Sequence, residues 1–313
     1  MMFCGAVFPQ IPAGGKEMVM RTSAESRGPG EGRVLSLAPL TVLELDPVEL
    51  VECAASAGYD AVGLRLIRAT AQEPLRPTIG HTPLILETKR RLDDSGLRLV
   101  DIEVLGLRPE TRVRADFEAF LETGAFLGAT EVLVTGNDPD HSRTAQNLAE
   151  LALLAAEFGL TPNLEPMPWT EVKDLRQGVA ILTACQARVG LLVDAIHYDR
   201  AMNSPAELAA LPQEWIRYAQ ICDAPAERPG TVAEMMRQGR GARLLPGTGG
   251  IDLVSMLRAL PAGIPISVEA PLHSDAPAAV RAAAAARAAR DVLALADEYS
   301  GCSLGAAGAR PAA

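Results

Sequence analysis

The stretch TEVLVTGNDPDHSRTAQNLAELALLAAEFGLTPNLEP, residues 130–166, decides the fold. It opens on an apolar run (130–136), passes through an amphipathic helical run (143–159) and returns to a second short strand-like run (160–166). Runs that are apolar almost throughout, each followed by a helix, indicate parallel strands covered on the outside.

The same unit recurs in both directions. Upstream lie VLSLAPL (34–40) with DPVELVECAASAG (46–58), YDAVGLRL (59–66) with TPLILETKRRLDDSG (82–96), and LRLVDIEVLGL (97–107) with RADFEAFLETGAFLG (114–128). In the first helix Asp46 is the expected N-cap, Pro47 the first helical residue and Gly58 the stop. Downstream, LTPNLEP precedes a helix over 170–185, VGLLVDA (189–195) precedes SPAELAAL (204–211), and IRYAQICDA (216–224) precedes a loop with a short helix. GIPISVEAP (263–271) precedes an Ala-rich helix from about 276 to 297.

Eight such units predict an α/β fold, a single-domain (β/α)8 TIM barrel over 33–298. An open doubly wound sheet would place a Gly-rich turn after its first strand, whereas SLAPLTVLELDP (36–47) contains no glycine. Residues 1–32 read as a disordered leader, with Met20 an alternative start, and 299–313 as a flexible tail.

Composition narrows the function. The net charge of −10 argues against a nucleic-acid partner, which needs clustered basic residues. No apolar run reaches the roughly 18–20 residues of a membrane span. Five scattered cysteines form no CxxC pair, so a reducing cytoplasm is expected. Homodimer and homotetramer are both compatible with the sequence.

In a barrel of this kind the chemistry sits at the C-terminal strand ends. Strand five delivers Glu165, strand six Asp194, strand seven Gln220 and then Asp223, and strand eight Glu269. Three carboxylates at one mouth repel one another without a compensating cation. With the amide oxygen of Gln220 they suit one divalent metal ion, Mn²⁺ or Mg²⁺ first and Co²⁺ or Zn²⁺ second. His197, three residues past Asp194, is placed to meet a substrate oxygen or a ligating carboxylate. Arg65, Arg228 and Arg243 are candidates for a substrate carboxylate or phosphate, and Glu103 ends strand three.

The motifs LEPMPW, LLVDAIHYDR, YAQICDAP, LLPGTGGIDL and ISVEAP, in this order, resemble the xylose isomerase-like TIM-barrel superfamily. That group includes ketose 3-epimerases, hydroxypyruvate isomerase, inosose dehydratase, 3-dehydroshikimate dehydratase and endonuclease IV. The resemblance implies metal ligation by Glu165, Asp194, Gln220 and Glu269, with His197 and Arg228 on the substrate and Trp169 of LEPMPW beside it. Two features depart from the family pattern: Thr248 stands where a Glu is frequent, and Arg65 where many relatives carry an acid.

The resemblance also implies a mechanism. Glu165 and Glu269 would work from opposite faces of a polyhydroxylated carbonyl compound, through a metal-stabilised enediolate. Isomerase or epimerase is the first reading. A dehydratase of the dehydroshikimate or inosose type is second, and a non-catalytic barrel or an endonuclease IV-like nuclease ranks below both. Four histidines and the acidic charge count against the nuclease.

Overall fold

The computed structural model describes residues 32–301. The expected leader, apart from Gly32, lies outside the described residues, as does the expected tail beyond Gly301. The strands are β1 (Leu35–Leu37), β2 (Ala61–Arg65), β3 (Arg98–Leu107), β4 (Glu131–Gly136), β5 (Thr161–Glu165), β6 (Gly190–Leu191), β7 (Val193–Asp194), β8 (Ala219–Ile221) and β9 (Ile266–Val268). They form one parallel sheet in the order β6-β5-β4-β3-β2-β1-β9-β8-β7.

β6 and β7 are two halves of one stave, parted at Leu192, whose N–H donates to the Leu164 carbonyl at 2.9 Å. The first half pairs with β5 and the second with β8, so the sheet closes into an eight-stave barrel, as the sequence pattern predicts.

Helices α1 (Pro47–Ser56), α2 (Pro83–Ser95), α3 (Val113–Leu127), α4 (His141–Glu157) and α5 (Leu175–Cys185) follow the first five staves. The capping signals work as expected at α1. Asp46 Oδ1 accepts from Glu49 N at 2.9 Å, Glu49 Oε2 accepts from Asp46 N at 2.8 Å, and Gly58 has φ 75°.

The second half is more broken than the sequence suggests. Stave six leads directly into α6 (Ala195–Arg200) and then α7 (Pro205–Ala209). Stave seven is followed by α8 (Val232–Gly241) and α9 (Leu253–Ala259), and the last stave by α10 (Ala278–Gly301). Among the described residues no helix is long and apolar enough to cross a membrane.

The main core fills the layer between sheet and helices. Inside the barrel Val34, Ala61, Val100, Leu133, Leu192 and Tyr218 form a separate apolar plug. Around it the interior is polar: oxygens of Ser36, Asp101, Asn163, Tyr218, Gln220 and Ser267 are buried without a hydrogen-bond partner among the described residues. Such orphaned atoms are costly unless water or a proton satisfies them.

Asp101 is the extreme case, with both carboxylate oxygens orphaned. Burial first, then the carboxylates of Glu103, Glu269 and Glu131, push its pKa well above the ordinary range. A carboxyl with a raised folded-state pKa contributes stability that is full below its unfolded value near 4 and is lost as pH rises through the folded value. Asp101→Asn cannot titrate. Its stability relative to the parent is therefore expected to improve between pH 5 and pH 8, by on the order of 1 kcal/mol. Urea unfolding at the two pH values measures this, and a difference independent of pH would contradict it.

Candidate active site

The mouth of the barrel opens into a cavity of about 760 Å³, in the size range of small-molecule sites. Its lining includes Glu165, Trp169, His197, Arg243, Glu269 and Arg65. Six residues singled out in the sequence therefore face one space.

Asp194 ends stave six and also caps α6. Its Oδ1 accepts from Ile196 N at 2.8 Å and from His197 N at 3.4 Å. Starting a helix on the last strand residue turns the chain at once, and the first turn of that helix carries His197 back over the mouth. His197 Nε2 lies 3.6 Å from Glu165 Oε1, and its ring stands perpendicular to that of Trp169 with centroids 4.7 Å apart. Glu165, Asp194 and His197 each offer a ligand atom within 4.8 Å of the others.

Gln220 and Glu269 form a second group. Gln220 Nε2 donates to Glu269 Oε1 at 3.4 Å, leaving its own Oε1 buried and orphaned. Arg243 joins the two groups. Its guanidinium is buried, with Nη1 2.6 Å from Asp194 Oδ2 and Nη2 2.7 Å from Glu269 Oε2. Nε donates to the Gly239 carbonyl at 2.6 Å. The sequence reading placed Arg243 on the substrate; the structure gives it two carboxylates of the chain itself to hold.

Three buried carboxylates against one buried guanidinium leave the floor short of positive charge, and the acids respond differently. Burial, then the charges of Asp194 and Glu269, raise Glu165 well above the ordinary range. Burial raises Glu269 as well, to about 8, against the pull of Arg243. Burial would also raise Asp194, but Arg243 and then His197 outweigh it and hold Asp194 below the usual value. Burial depresses His197 to about 4, so its imidazole is neutral at pH 7.

This floor fits a hard divalent cation. It carries excess negative charge, and among the described residues no hydrogen-bond donor serves Glu165 or Gln220 Oε1.

Other residues fall elsewhere. Glu103 is fully buried beneath Arg65, whose Nε donates to Glu103 Oε1 at 2.8 Å and whose Nη1 lies 3.2 Å from Glu73 Oε1. It shapes the mouth through Arg65 and is not part of the cavity wall. Arg228 is not brought to the cavity: its side chain is 43% exposed and paired with Asp199 at 2.9 Å, away from the cavity lining. Asp199 accepts from both Arg200 and Arg228, and the second contact ties α6 to the loop after stave seven.

Asp223 serves the backbone. It accepts from Ala224, Gly249 and Ile251 N–H groups at 2.8–3.0 Å and pins the PGTGG loop. The sequence reading missed three arginines on the cavity wall: Arg68, Arg108 and Arg240.

A family model described as xylose isomerase-like TIM barrel matches residues 51–294. A 3-dehydroshikimate dehydratase of Pseudomonas aeruginosa is 32% identical over 143 residues, which cover 44% of this chain and 22% of that protein. The chain thus spans about a fifth of the length of this curated relative. Among solved structures, the IOLI protein with a bound zinc atom superposes with TM-score 0.70 at 20% identity, over 83% of this chain and 98% of that one. L-ribulose 3-epimerase superposes with TM-score 0.63 at 17% identity, over 89% and 100%. Likeness at that level of identity concerns the fold.

Proposed function

The chain belongs to the xylose isomerase-like TIM-barrel family, and from this premise we propose that it is an enzyme of carbon-acid chemistry. It removes a proton next to the carbonyl of a small polyhydroxylated compound and returns one, as an isomerase or epimerase. One observation carries this reading: two buried carboxyls, Glu165 and Glu269, face a single cavity, both with raised pKa values. Buried acids with pKa values moved toward neutrality suit the exchange of protons with carbon.

A divalent cation would be held by Glu165, Asp194, Gln220 and Glu269, and when bound it would polarise the substrate carbonyl. Glu165 carboxylate takes the proton from carbon. Neutral His197, packed against Trp169, hydrogen-bonds a substrate oxygen beside it. Glu269, fixed between Arg243 and Gln220, is the second proton carrier. Trp169 also packs on Gly239, where a Cβ would come to 2.5 Å from its ring, and so closes one wall against water.

A second reading is a dehydratase, in which the same proton abstraction is followed by loss of a β-hydroxyl. The named function of the curated relative favours it. Both are tested by incubating the protein with Mn²⁺, Mg²⁺, Co²⁺ or Zn²⁺ and a panel of ketoses, inososes and 3-dehydroshikimate in D₂O. Deuterium in recovered substrate supports epimerisation, and a conjugated ultraviolet-absorbing product supports dehydration. Neither signal with any metal would sink the proposal.

A further inference from the structure

We propose that the cavity carries an anion subsite built by Arg108 and Arg240, so that its substrate bears a carboxylate or phosphate at the end remote from the reacting carbonyl. The inference rests on the reading of Glu165 and Glu269 as the reacting end.

The cavity is electrically divided. Its floor holds Glu165 and Glu269 with Arg243 between the acids of stave six and the last stave. Its outer wall holds Arg65, Arg68, Arg108 and Arg240 together with Glu44 and Glu73. Both of those acids are already occupied: Glu73 is paired with Arg65, and Glu44 with Arg281. Arg65 is likewise occupied by Glu103 and Glu73.

Arg108 and Arg240 differ. Both are exposed, and among the described residues neither makes a side-chain ion pair or hydrogen bond. Arg68 reaches only the Ala71 carbonyl, at 3.5 Å. On a chain of net charge −10, unpaired guanidiniums gathered at one mouth reverse the local field and draw anions in.

Their placement is specific. Arg108 folds back over the end of β3. A Cβ on Gly106 would meet the Arg108 guanidinium at 3.5 Å and Asn137 Nδ2 at 3.3 Å, so two sets of N–H donors converge over that glycine. Asn137 and Gly106 are themselves cavity wall. Arg240 projects from α8, one residue after the Gly239 on which Trp169 packs. Guanidinium and amide donors facing a cavity match the planar or tetrahedral oxygens of carboxylate and phosphate. A volume of about 760 Å³ leaves room for a substrate that reaches from floor to wall.

The test reads binding apart from turnover. The chain has two tryptophans, so a Trp215→Phe background leaves Trp169, on the cavity wall, as the reporter. In the presence of a metal chelator and at fixed ionic strength, inorganic phosphate and succinate are titrated separately. A saturable Trp169 fluorescence change is expected with at least one of them; phosphate alone marks a phosphate ester and succinate alone a carboxylate. Arg108→Met and Arg240→Met should each weaken that binding about tenfold, as loss of a charged hydrogen bond does, and the double variant should abolish it. Arg114→Met, at an exposed arginine paired with Glu118 and Glu157, should leave it unchanged.

Failure of both anions to bind, or equal binding by the double variant, overturns the subsite. The titration is repeated in Glu165→Gln. Intact anion binding with full exchange chemistry in that variant would remove the proposed reaction and leave the subsite standing.

Discussion

Glu165→Gln is expected to lower the rate of deuterium exchange at the substrate carbon by about 10²–10⁴-fold, the usual contribution of a positioned general base. The amide keeps the shape of the carboxyl and one oxygen but cannot take a proton from carbon. The same change should leave the fold intact and raise its stability. Glu165 is buried against the charges of Asp194 and Glu269, without a hydrogen-bond donor among the described residues, and its raised pKa reports how poorly that site tolerates a carboxylate. Replacing it with a neutral group of equal size relieves that repulsion.

Activity and stability are thus expected to move in opposite directions, the pattern of a functional site that strains its scaffold. A structural role for Glu165 predicts the reverse: a lower melting temperature with exchange little changed. Exchange followed by NMR, together with thermal melting of the same preparation, separates the two.

The barrel was legible because its evidence is local. Each stave is a short apolar run and most are followed by an amphipathic helix, and those periods survive in a single sequence. Glu165 and Glu269 were legible for the same reason, as carboxylates directly after apolar runs.

What escaped was set by contacts distant in sequence or by residues with two jobs. Asp194 looked like a strand end and is also the N-cap of α6, a helix too short to show a period. Arg243 lies in a glycine-rich segment without periodicity, and its partner Asp194 is 49 positions away. The family resemblance made Arg228 a substrate contact, whereas its side chain pairs with Asp199. Arg108 and Arg240 carry no motif; only closure of the barrel brings them to one mouth.

Removing Arg243 tests how the floor is held together. Arg243→Met keeps much of the side-chain volume but leaves Asp194 and Glu269 buried with no guanidinium between them. Breaking a buried ion pair by deleting one partner costs about 3–5 kcal/mol, so a loss of that size is expected in urea unfolding at pH 8.

The pH dependence fixes the cause. In the parent, Asp194 has a lowered pKa; its contribution is present above the ordinary aspartate value and lost as pH falls through the lowered one. Without Arg243, burial dominates and Asp194 moves above that value. Its contribution is then greatest at low pH and lost as pH rises. Glu269, already raised to about 8, moves further the same way. The gap between variant and parent should therefore narrow from pH 8 to pH 5, as protons replace the missing guanidinium. Arg243→Lys retains the charge and should recover part of the loss at pH 8. A gap below about 1 kcal/mol, or one that does not change with pH, would mean that Arg243 does not hold the two acids together.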